Sequence, residues 1–279
     1  MDSEIKEVVC AVCRAAEGLG VEVVLVGALT TELTPEKGSD YPQFRRTNDA
    51  DFGVCVRDWP TYEKLREKLL GDEFKFEPDK SIEHRLHRGN AMTDIIPYGN
   101  EIAPGGTLVW PKSEFEMSVV GFDEVCAAAD KVELEEGLSV SVITVPGFVL
   151  LKIIAFLDRK AQGEEKHKDD AKDIGYWLEN YAGGTEDERR YDLANKSDLK
   201  HEDYVTAGAV LLGMEVGALA SEAAAECVGK FLSESEDLYS PFLDILAAGS
   251  LDDAGERKRK EGMALLAAFK KGYQHRRSL

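Results

Sequence analysis

The chain has 279 residues, 43% hydrophobic and 31% charged, an ordinary globular composition that excludes collagen-like and disordered chains. A chain of this length buries a full core without disulfides or a structural metal. Its 34 Lys and Arg against 53 Asp and Glu leave −19 at pH 7, a field that repels phosphate backbones and anionic bilayers and argues against a bulk nucleic-acid binder.

The opening MDSEIKEVVC has acids where a signal peptide carries bases, and five cysteines, an odd number, do not read as a disulfide framework. Together they predict a soluble cytoplasmic protein. The longest apolar runs are interrupted by Lys152 or Glu215, so no membrane partner is expected. Glu4 to Gly18 carries Ile5, Val8, Val9, Val12 and Ala16 at helical period, and its Cys10 and Cys13 read as ordinary thiols of that helix. Val21 to Val26 and Asp51 to Val56 are β-branched runs of strand length. Between them, Thr34 to Thr47 is aperiodic and rich in Pro, Gly, Ser and Asp, a long loop of the kind that is commonly functional. Trp59 to Leu70 reads as a helix. Phe74 to Phe76, His84 to Arg88 and Ala91 to Tyr98 read as an antiparallel series, punctuated by Pro78-Asp79 and by a Gly89-Asn90 turn. Lys131 to Leu134 and Leu138 to Ile143 are weaker strands.

After Pro146 the pattern turns helical, over Gly147 to Arg159, Lys168 to Tyr181, Tyr204 to Leu219, Ser221 to Ser233, Leu238 to Ala248 and Ala254 to Tyr273. Ala182 to Asp203 reads as an exposed connection. The expected fold is therefore α+β: a domain over residues 1–145 with a mixed sheet flanked by helices, then an all-helical bundle over 146–279.

The segment richest in chemistry is RRTNDADFGV, Arg45 to Val54. Asp49 and Asp51 are two apart, so on a strand both carboxylates project from one face and can converge on one divalent cation. A D-x-D at a solvated strand end has the same spacing, and three features argue for more. A buried strand ends at Gly27-Ala28, where glycine lets backbone amides approach a triphosphate at a helix start. Asp94 interrupts the apolar strand AMTDIIPYG, where a lone carboxylate needs a counter-charge such as a metal. Lys152 and Arg159 share one stripe of GFVLLKIIAFLDR, which suggests an anion in a cleft between the domains.

Strand, glycine and helix, then D-x-D opening the next strand, then a third acid on a neighbouring strand: this order resembles the nucleotidyltransferase fold of the DNA polymerase β superfamily. Within it the chain is similar to the abortive-infection nucleotidyltransferase toxins of the AbiEii type, over most of its length. RRTNDADFGV resembles that family's first motif, TDIIPYG its third-acid strand and TVPGFVLLKIIAFLDR its Lys/Arg helix. HKDDAKDIGYWL matches the acid pair that follows, and YVTAGAVLLGMEVGAL resembles its C-terminal helical segment. The resemblance implies transfer of a nucleoside monophosphate from an NTP to an acceptor hydroxyl on RNA such as tRNA, on protein or on a small molecule. Asp49, Asp51 and Asp94 would hold two Mg²⁺ ions with the NTP. Gly27, Ala28, Thr30, Arg46, Thr47, Lys152 and Arg159 would bind the nucleotide. Lys152, Asp170 and Asp173 would complete the catalytic set, the two acids orienting the Lys/Arg pair or acting on the acceptor; a solvated ion-pair face is the other reading of those acids. A toxin role implies a cognate antitoxin. Two departures stand out: Ala28 replaces the family's Ser or Gly and removes a hydroxyl for which Thr30 or Thr31 would substitute, and Gly27 and Asp49 lie 22 positions apart. The loop holding Tyr41 and Phe44 then reads as a lid or specificity insertion.

The remaining features have plain readings. His84 and His87 fall on opposite faces of a strand, and Arg85 and Arg88 read as surface strand charges, with a cleft lining as the alternative. Trp177 and Tyr181 read as core anchors. Glu256 to Leu279, with eight Lys/Arg against two Glu, places Leu266, Phe269 and Tyr273 on one stripe and reads as amphipathic packing. Gly18-Leu19-Gly20 precedes a strand rather than following one, which excludes a dinucleotide fingerprint, and the chain has no P-loop motif. Two functional alternatives stay open: an antibiotic nucleotidyltransferase whose acidic field draws a polycationic aminoglycoside, and a catalytically silent nucleotide-binding or partner-binding module, favoured by Ala28.

Overall fold

A computed structural model describes residues 1–33, 47–184, 187–194, 204–250 and 253–279. These divide into two compact units, the first ending at Thr144 and the second running from Val145. In the first, α1 (Ser3–Glu17), β1 (Glu22–Leu25), α2 (Thr30–Leu33), β2 (Asp49–Cys55) and α3 (Trp59–Leu70) precede β3 (Glu77–Pro78), β4 (Arg85–Arg88) and β5 (Ala91–Tyr98). Then come β6 (Thr107–Val109), β7 (Glu116–Ser118), α4 (Phe122–Ala127), β8 (Asp130–Glu135) and β9 (Leu138–Val142). Among the described residues one mixed sheet runs β3-β4-β5-β2-β1-β9-β8, and β6 and β7 form a separate hairpin. The architecture is α+β with helices against a mixed sheet, followed by a helical C-terminal region.

Helix α1 forms where the sequence places it. Asp2 caps it by accepting from the Glu4 amide at 2.9 Å, and its apolar stripe packs on β1, β2, β5 and β9, with Val9 and Val12 fully buried. In β2 one face is sealed: Ala50, Phe52 and Val54 are fully buried, while Asp49 and Asp51 on the other face are only partly so. The expected strand Phe74 to Phe76 does not form. The backbone there continues the cap of α3, with the amides of Phe74 and Lys75 donating to the Gly71 carbonyl and that of Phe76 to Leu69. Both aromatic rings drop into the core from this turn, which mimics a strand's alternation, and pairing begins only at Glu77. The helix expected after Gly27 is, in its described part, the single turn of α2. Residues 107–127, left unassigned from sequence, hold β6, β7 and α4.

The second unit comprises α5 (Val145–Gln162), α6 (His167–Asn180), α7 (Arg189–Ala194), α8 (Tyr204–Leu219), α9 (Glu222–Glu234), α10 (Pro241–Ala247) and α11 (Asp253–Arg277). Ser240 caps α10 just before Pro241, so that helix starts later than its apolar pattern does. Helix α8 is apolar around most of its circumference and packs against α5, α6, α7 and α11. Its contact with α11 is backbone-close: a Cβ on Gly213 would lie 2.1 Å from the Phe269 carbonyl oxygen, and one on Gly272 would lie 2.0 Å from that of Val210. Trp177 and Tyr181 are core residues, as their spacing suggested. On α11, Leu266, Phe269 and Tyr273 are buried, while Arg257, Arg259, Lys260 and Lys270 pair with Glu261, Asp244, Glu256 and Glu236.

Candidate functional site

The first unit gathers its acids through strand register. Strands β2 and β5 run parallel with Asp51 opposite Asp94 and Asp49 opposite Met92, so Asp49, Asp51 and Asp94 share one face of the sheet. Thr47 anchors the start of β2, its hydroxyl accepting from the Asp49 amide at 3.1 Å. Beyond β1, the Val26 amide donates to the Asp51 carbonyl at 2.8 Å and carries the chain past the acids. At the next position a Cβ on Gly27 would stand 1.9 Å from Asp51 Oδ2 and 2.8 Å from its Cβ. Only glycine leaves that carboxylate its place.

The turn after Gly27 separates two hydroxyls that the sequence leaves equivalent. Thr31 Oγ1 donates to the Ala28 carbonyl at 2.8 Å and is satisfied. Thr30 Oγ1 is buried with no hydrogen-bond partner among the described residues. Arg46, Tyr41 and Phe44 lie outside the described residues.

Asp94 carries a partner that sequence reasoning assigned elsewhere. Arg85, opposite it on β4, donates from Nε and Nη2 to the two carboxylate oxygens, each at 2.8 Å, a bidentate fork with both side chains 14% exposed. The surface reading of Arg85 is thereby corrected, as is the argument that Asp94 needs a metal for its counter-charge. A nearby guanidinium supplies it. The hydrogen bonds to Asp94 hold Arg85 firmly charged, and the fields of Asp94, Asp49 and Asp51 add to them against the cost of burial. His84 Nε2 lies 3.7 Å from Asp94 Oδ2, with its ring 5.0 Å from that of Trp110. His87 instead bonds Asp79 at 2.7 Å. Arg88 reaches the Glu7 carbonyl at 3.2 Å.

Among the described residues no group of three or more His, Cys, Asp or Glu is arranged to hold a metal ion. The donor chemistry nevertheless fits a hard divalent cation: carboxylate oxygens on one sheet face, beside a position that only glycine can occupy.

Lys152, Arg159, Asp170 and Asp173 meet within the second unit. Lys152 on α5 reaches Asp170 Oδ1 at 2.8 Å and Asp173 Oδ2 at 2.9 Å on α6. Arg159 Nη1 donates to the two oxygens of Asp170 at 2.7 and 2.8 Å. Asp170 and Asp173 are buried, so they are no solvated ion-pair face; they are ion-paired to Lys152, and Asp170 to Arg159 as well. Burial alone would push the Lys152 ammonium toward neutrality, but Asp170 and then Asp173 outweigh it and hold the group above its ordinary value. Both cations are thus engaged by α6 and tie it to α5.

No family model matches this chain, and no curated protein matches it either. No described helix is long and apolar enough to cross a membrane.

Proposed function

We propose that the acid face of β2 and β5 serves Mg²⁺-dependent phosphoryl chemistry, as a nucleotidyltransferase that moves a nucleoside monophosphate from an NTP to an acceptor hydroxyl. The observation that carries it is the parallel register setting Asp51 beside Asp94, with Asp49 on the same face and the bare Gly27 against Asp51. Asp49 and Asp51 would hold the ion, and Asp94 would join them when its fork opens. Bound Mg²⁺ supplies charge neutralisation at the transferring phosphoryl group and lowers the pKa of an attacking hydroxyl.

The chain's own residues do the positioning. Gly27 lets the turn approach a phosphate without a side chain intervening. Thr30 Oγ1, buried and lacking a partner among the described residues, is the better candidate for the hydroxyl that Ala28 lacks, because Thr31 is spent on the Ala28 carbonyl. The polymerase β-like fold and the toxin role belong to this proposal, supported by motif order.

The test is incubation of the full chain with α-labelled NTPs, Mg²⁺ and separate pools of tRNA, protein and aminoglycoside. Label transfer that Asp51→Asn abolishes supports the proposal and names the acceptor. Retained NTP binding without transfer to any pool overturns it and favours a silent nucleotide-binding module. That second reading has its own support: Asp94 is already neutralised by Arg85.

A further inference from the structure

We infer that Arg85 is a positioning residue that competes with the divalent ion for Asp94, standing in as the stored counter-charge of the acid face until the ion arrives. The inference rests on the reading of that face as a cation site. Its support is geometric. The register carries a row across three strands, Arg85 on β4 opposite Asp94 on β5, and Asp94 opposite Asp51 on β2. The guanidinium engages both oxygens of Asp94 and lies in the field of Asp49 and Asp51 as well.

A guanidinium does not deprotonate in a protein, so Arg85 cannot leave by losing its charge. It has to be displaced. Arg85 therefore weakens the hold of this face on a divalent ion until the fork opens. The sequence carries the ingredient, since a two-residue Gly89-Asn90 turn pairs Arg88 with Ala91 and, three steps on, Arg85 with Asp94.

The test measures Mn²⁺ binding to the full chain by electron paramagnetic resonance, without nucleotide. Arg85→Gln is expected to bind Mn²⁺ about tenfold tighter than the wild type, within the usual range of coupling between sites. Arg85→Lys, a point charge without the fork, is expected to fall between them. The double variant Arg85→Gln/Asp94→Asn is expected to lose the gain. Equal or weaker binding by Arg85→Gln overturns the inference, as does a gain that survives in the double variant. Should Arg85→Gln not fold, Arg85→Lys decides alone: tighter binding than the wild type supports competition and equal or weaker binding refutes it. The underlying site reading fails separately, if Asp49→Asn and Asp51→Asn leave wild-type Mn²⁺ affinity unchanged.

Discussion

Gly27 and Asp51 approach so closely that a single added methyl at Gly27 would stand 1.9 Å from Asp51 Oδ2, 2.6 Å from its Cγ and 2.8 Å from its Cβ. Rotating the carboxylate alone relieves only the first of these contacts. Gly27→Ala is therefore expected to displace Asp51 from the acid face, lower stability by about 1–3 kcal/mol as overpacking does, and weaken Mn²⁺ binding. Thermal unfolding and resonance titration of the same sample check both effects, and unchanged values in both would show the approach to be unimportant.

The ion cluster between α5 and α6 makes a prediction with a sign. Lys152 is held above its ordinary value by Asp170 and Asp173, against the effect of burial. Its stabilising contribution is thus complete below the ordinary lysine pKa, about 10.4, and is lost as pH rises through the raised folded value. Lys152→Met leaves two buried carboxylates without that partner, at a cost of about 3–5 kcal/mol at neutral pH. Urea unfolding from pH 7 upward is expected to show a strongly alkaline loss in the wild type that the variant lacks.

Three glycines of the helical unit behave differently under one substitution. Gly213→Ala and Gly272→Ala each drive a methyl into a backbone carbonyl at 2.1 and 2.0 Å, and are expected to cost about 1–3 kcal/mol or more. Gly229 in α9 has nothing within 4 Å of a built Cβ, so Gly229→Ala is expected to gain about 0.5–1 kcal/mol from helix propensity. Melting temperatures ordered otherwise would contradict the close α8–α11 packing.

Cysteine reactivity is set by burial. The thiols of Cys13 and Cys126 are each pushed up to about 12, chiefly by desolvation; partial burial raises Cys55 as well, but its side chain is exposed to reagent. Iodoacetamide near pH 8 is expected to alkylate Cys55 first and to reach Cys13 and Cys126 only on unfolding, read by peptide mass mapping.

Much of the acid face is legible along the chain. The two-residue spacing of Asp49 and Asp51 assigns them to one face, and the Gly89-Asn90 turn contains the Arg85–Asp94 pairing, though Arg85 reads from composition as a surface charge. Phe74 and Phe76 mislead because two rings entering a core from a turn have the same period as a strand.

The amino-acid order by itself marks most of the helices and strands and which of their side chains share a face, because side-chain period is a property of the local backbone, but it misplaces a strand at Phe74 to Phe76 and does not show β6, β7 and α4. Tertiary structure alone decides that Asp51 stands beside Asp94, since parallel strands have no connecting turn to fix their register. It also decides that Lys152 and Arg159 are engaged by Asp170 and Asp173, because the partner of a charge depends on where the next helix docks. Register and docking are settled by the burial of many residues distant in sequence, and no short stretch of the chain encodes them.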